Sequence, residues 1–134
     1  MAGRKRHVLV DSTGLLLAVL VTAADVSDLA GAKALLRGGK ARFPSLRLVW
    51  ADSAYAGLVA WARRFWGWAV ELLRRPKGAK GFVVIPRRWV VERTFAWLMR
   101  YRRLWRDSEE LTSVSEAMII VAMIHLMARR VFRE

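Results

Sequence analysis

In residues 85–105, "IPRRWVVERTFAWLMRYRRLW", a single acid, Glu92, stands among arginines and tryptophans. Such a carboxylate has two uses. It can favour a helix start through the helix dipole, worth ~0.3–1 kcal/mol and helped by pairing back to Arg88. It can also hold a divalent cation, whose ligands are oxygens. A second acid, Asp52, closes the apolar run "LRLVWAD". A carboxylate just past the C-terminal end of a buried strand is where α/β sheets place ligands. A turn or helix-cap aspartate stands at the same kind of position. Two such acids on opposite sides of one basic cleft would suit magnesium.

The remaining chemical signals are poor. "GGKA" at Gly38 lacks the upstream glycine and the Ser/Thr of a phosphate loop, and "GAKG" at Gly78 is a short glycine pair. His7 sits among basic residues and His125 in an apolar C-terminal segment, neither with a ligand partner at useful spacing. No serine has a nucleophile-elbow context. With no cysteine, a thiolate zinc site, a cysteine nucleophile and a disulfide framework are excluded.

The elements that must position the two acids read as an alternation of strands and helices, hence α/β. Residues 8–10 and 15–22 are branched and apolar around the turn "DSTG", a hairpin. "DVSDLAGAKALLRGG" predicts a short helix capped by Ser27 or Asp28, with Leu29, Ala32, Leu35 and Leu36 on one face and Gly38–Gly39 ending it. "LRLVWAD" predicts a strand buried on both faces. "YAGLVAWARRFWG" predicts a helix, "WAVELL" a strand and "RRPKGAKG" a basic loop before "FVVIP". From about Trp89 a helix is expected to run to about Trp105. Its apolar arc is Phe95, Leu98, Tyr101 and Trp105, and Glu92 lies opposite, in line with Ala96, Met99 and Arg103. A capping box, Ser113 to Glu116, is expected to open a last helix, apolar nearly all round and so read as a core helix.

At 134 residues the chain is about one domain, and 55% hydrophobic residues supply a core. Twenty-four Lys and Arg against eleven Asp and Glu give a net charge of +13, mostly arginine, which points to a polyanion such as nucleic acid. The apolar stretch "AMIIVAMIHLMA" is well short of the ~20 residues that span a bilayer, so no membrane partner is expected. The lack of cysteine fits a cytoplasmic protein.

"GRKRHVLVDSTGLLLAVLVTAADVSD", "VWADSAY" and "IPRRWVVERTFAWLMRYRRL" together resemble, in order and spacing, the C-terminal part of bacterial insertion-sequence transposases of the DDE type. The Arg-x-x-x-Glu block at Arg88 and Glu92 is the most specific piece, and Asp52-x-x-Tyr55 is moderately so. The resemblance implies a ribonuclease-H-like mixed sheet with flanking helices. It implies two Mg2+ (or Mn2+) ions ~3.5–4 Å apart, held by two aspartates and a glutamate. Asp52 matches the second aspartate and Glu92 the glutamate. Arg88 would lie near the scissile phosphate or brace Glu92, and Arg93, Arg100 and Arg103 would contact DNA along the helix. The implied partners are insertion-sequence terminal inverted repeats and target DNA, with a homo-oligomer when complete. The family's extended signature has tyrosine and lysine where this chain has Ile85 and Met99, and glycine where it has Ala54.

In the family the first aspartate lies on a strand upstream of "GRKRH", the segment at which this chain begins; Asp11 falls instead in the hairpin turn. That strand is normally central, so the expected sheet is incomplete. Residues 1–134 are read as one partial catalytic domain, joined in function to an upstream transposase fragment and inactive in strand transfer alone. Beside this reading stand a non-enzymatic basic nucleic-acid-binding protein and, last, an amphipathic membrane-surface protein.

Overall fold

A computed structural model describes residues 3–73, 88–104 and 109–132. They divide between two mixed α/β units. One is built from Met1–Val26 with Val90–Glu134, the other from Ser27–Trp89. Each contains one two-stranded sheet, and among the described residues neither sheet has a third strand.

In the first unit β1 (Arg4–Val10) and β2 (Leu16–Ala23) form the expected antiparallel hairpin, with His7 opposite Leu20 and Leu9 opposite Ala18. Alternation sends His7, Leu9, Ala18 and Val21 inward. Asp11 organises the turn. Its Oδ1 accepts from the Thr13 amide and hydroxyl and from the Leu15 amide, at 2.9, 2.7 and 3.0 Å. Gly14 closes the turn at φ +93°, where a side chain would be strained and a Cβ would meet Trp97 and the Thr94 hydroxyl.

Helix α5 (Thr112–Val131) packs on β2. Ser115, Ile119, Ala122 and Met123 form its buried stripe, and Val21, Leu98 and Leu104 complete the core around it. Two expectations fail here. The capping box does not form: Leu111 is the N-cap and makes no side-chain cap bond, while Glu116 Oε1 instead accepts the Val21 amide of β2 at 3.0 Å. An edge-strand N–H with no strand partner is the stronger claim on that carboxylate. Nor is α5 buried all round, since Ile120, Val121 and Ile124 are exposed. A two-stranded sheet offers cover along only one side of a helix.

In the second unit α1 (Asp28–Leu35) is capped by Ser27, whose hydroxyl accepts the Ala30 amide, and it buries Ala32 and Leu35. A single turn of helix, α2 (Gly39–Arg42), follows; Gly39 lies so close to the Trp66 indole that a Cβ has no room. Strand β3 (Leu48–Asp52) pairs in parallel with β4 (Ala69–Leu73), and α3 (Leu58–Trp66) makes the crossover. Leu58, Ala62 and Trp68 form its core with α1. The expectation that β3 is buried on both faces is not met, because Leu48 is exposed and the other four residues are half-buried. Among the described residues β3 has a single neighbouring strand, β4.

The basic loop at residues 74–81 and the "FVVIP" segment lie outside the described residues. Among those described, no helix is long and apolar enough to cross a membrane.

Candidate active site

Glu92 is carried by α4 (Arg88–Leu98) in the first unit. The helix is held by its opposite face. Leu98 is fully buried against the α5 core. Thr94, also fully buried, donates its hydroxyl to the Gly14 carbonyl of the hairpin turn. Arg93 donates from Nη2 to the neighbouring Thr13 carbonyl at 2.7 Å. The Trp97 ring lies against two guanidiniums, with Arg93 Cζ 4.7 Å and Arg130 Cζ 4.3 Å from its centroid. Glu92 and Ala96 are left on the exposed face, as the helical spacing predicts.

Helix α4 ends at Leu98 rather than near Trp105. Arg100 and Arg103 therefore do not continue the Glu92 face of a helix. Arg100 lies in the turn that follows, and Arg103 in a single 3-10 turn, Arg102–Leu104. Tyr101 anchors this stretch, its hydroxyl 2.6 Å from Nδ1 of His125 on α5, and Leu104 is buried beside it. Arg100 and Arg103 are exposed, and Arg103 Nε pairs with Glu109 at 2.8 Å. Arg93 is half-buried and engaged in holding the helix. Arg88 opens α4, and its side chain lies outside the described residues.

Asp52 is in the second unit, at the C-terminal tip of β3 as expected. Its Oδ1 accepts the Ala54 amide at 2.9 Å, capping a 3-10 turn, Ser53–Tyr55. The cap reading of this aspartate is thus realised, and the same bond fixes the carboxylate's direction. Half-burial pushes the Tyr55 phenol above its ordinary value, and the nearby charges of Asp28 and Asp52 push it further, so it stays protonated at neutral pH. Among the described residues no three His, Asp or Glu side chains gather so as to hold a metal ion. His7 is structural: it is buried, with Nε2 2.8 Å from the Thr22 hydroxyl.

The sequence reading missed Thr94, and with it the contact that registers α4 on the hairpin. A signal was present: Thr94 stands four residues before Leu98, on the same stripe.

A family model described as a transposase DDE domain matches residues 1–127. The chain belongs to this transposase family. A Burkholderia cepacia protein bearing the name "Putative transposase for insertion sequence element IS402" is 33% identical over 112 residues, which are 76% of this chain and 52% of that relative. The chain thus spans about half the length of the curated transposase it matches. No solved structure matches it significantly. Family membership identifies the sequence as insertion-sequence transposase in type, and DDE transposases generally work with divalent metal ions.

Proposed function

We propose that this chain is the C-terminal part of a DDE transposase catalytic core, which cleaves DNA at insertion-sequence ends and transfers strands when complete. The observation that carries the reading is Glu92. It stands on the exposed face of a helix anchored from behind by Thr94 and Leu98, four residues after Arg88 at the Arg-x-x-x-Glu spacing. In this reading the fold is ribonuclease-H-like.

Asp52 and Glu92 are the residues that would hold Mg2+ or Mn2+. Their oxygen donors suit a hard divalent cation, and the Ala54 amide orients the Asp52 carboxylate. Bound there, a pair of ions supplies Lewis-acid stabilisation of the charge on the reacting phosphate. The guanidiniums of Arg88, Arg100 and Arg103 bind DNA phosphates as planar forks. Arg103 does so by exchanging Glu109 for phosphate. Arg93 is assigned differently: bonded to Thr13 and set against Trp97, it holds α4 in place. The complete enzyme acts as a homo-oligomer on inverted repeats and target DNA.

The test uses the complete transposase that carries these residues. Asp52→Ala and Glu92→Ala each abolish metal-dependent cleavage of a terminal-repeat substrate while DNA affinity is kept. Cleavage surviving in either variant refutes the assignment. The isolated chain is expected to give no strand transfer. If it binds DNA in a salt-sensitive way and the complete protein also shows no cleavage, the non-enzymatic nucleic-acid-binding reading replaces this one.

A further inference from the structure

The cations carried by α1, α2 and α3 take no part in the site above. Residues 29–51 contain five Lys and Arg and no acid, and residues 53–70 contain Arg63 and Arg64 and no acid. The fold gathers several of them around one aromatic ledge on α3. Trp61 is 5.6 Å from Phe65 and 6.3 Å from Trp66, ring centre to ring centre. Lys33 of α1 lies over the Trp61 ring at 5.8 Å, and Arg64 over Phe65 at 5.7 Å. On the other side α2 seats Gly39 on Trp66, which brings Lys40 next to Gly67 at the end of α3. Phe65 is 57% exposed.

An exposed phenylalanine beside the Trp61 indole, with Arg64 over its ring and Lys33 over the indole, matches one class of ligand. Phosphates answer the cations, and unpaired bases answer the exposed ring. A duplex would offer the phosphates alone, because its bases are stacked on one another. We propose that the α1–α2–α3 surface of the second unit is a binding face for single-stranded DNA, with Lys33, Lys40 and Arg64 holding the backbone and Phe65 stacking on a base. The inference rests on DNA being the partner of this protein, but not on the assignment of Asp52 and Glu92.

The experiment measures binding of a labelled oligothymidine, and of a duplex of equal length, to the full chain over a range of salt concentrations. Replacing Lys33, Lys40 and Arg64 together by alanine weakens oligothymidine binding by at least tenfold at low salt. It also lowers the slope of log affinity against log salt by about 2, three single-strand phosphate contacts at ~0.7 each. Phe65→Ala lowers oligothymidine affinity about tenfold, within the ~1–3 kcal/mol of one stacked base, and leaves duplex binding unchanged. Lys40, Arg64 and Phe65 are exposed and Lys33 is half-buried, and unchanged circular dichroism and thermal unfolding verify that each variant is folded. Undiminished binding by the triple variant overturns the proposal. An equal loss for both DNA forms in Phe65→Ala, or no loss, overturns the single-strand assignment. Arg100→Ala with Arg103→Ala, measured in parallel, reports on the phosphate contacts of the active-site reading. A wild-type chain that binds neither DNA form defeats the common premise, an outcome distinct from failure at the ledge alone.

Discussion

Replacing Thr94 by valine tests what holds the Glu92 helix. The side chain is fully buried, and its hydroxyl lies beside two carbonyls, those of Gly14 and Val90. A hydroxyl has one proton to give. The Val90 oxygen is a helix carbonyl with a ladder partner of its own, so the Gly14 oxygen is the one that depends on it. Valine keeps the shape of threonine, which makes the cavity contribution small. The loss is then that of a buried carbonyl left without a donor, about 1–3 kcal/mol. With a urea dependence of about 2 kcal/mol per molar, the unfolding midpoint falls by about 0.5–1.5 M. Thr94→Ser is the control: it keeps the donor and gives up one methyl, about 0.8 kcal/mol. Equilibrium urea unfolding followed by circular dichroism measures both, and amide exchange across residues 91–98 is expected to speed up in the valine variant. A valine variant as stable as wild type, or more stable than the serine variant, refutes the argument that the Gly14 carbonyl docks α4.

Further outcomes follow from the same geometry. Burial pushes the Asp11 carboxyl up, but hydrogen bonds from the Thr13 hydroxyl and the Leu15, Thr13 and Gly14 amides together hold it below its ordinary 3.8. A folded-state value below the unfolded one gives stability that is present above the unfolded value and lost as pH falls through the folded one. Wild type should therefore exceed Asp11→Ala by most at neutral pH, with the gap in thermal midpoint narrowing as the solution is acidified below that value. Glu116→Ala strips the Val21 amide of its acceptor and costs about 1–3 kcal/mol in urea unfolding, while Glu116→Gln, which keeps an oxygen there, stays near wild type. Leu98→Ala opens a cavity in the core between α4 and α5 and costs about 2–5 kcal/mol by the same measurement.

What could be read from the chain alone was whatever neighbouring residues decide among themselves. Asp11, Thr13 and Gly14 specify the hairpin turn within four positions, and Ser27 caps α1 through an amide three residues on. Strand β3 and helix α3 show in their own periodicity, as does the exposed face that carries Glu92. The transposase family is legible for the same reason, from short blocks of residues at characteristic spacing. Tertiary structure decided the rest, through partners far apart in sequence. Thr94 meets Gly14 across 80 residues, and Glu116 leaves its expected cap for Val21 across 95. Helix α4 stops at Leu98 although its apolar pattern continues, because Tyr101 finds His125 and Leu104 turns into the core. Local pattern states which conformations a segment tolerates; the one it adopts depends on which distant group needs its hydrogen bond or its cover.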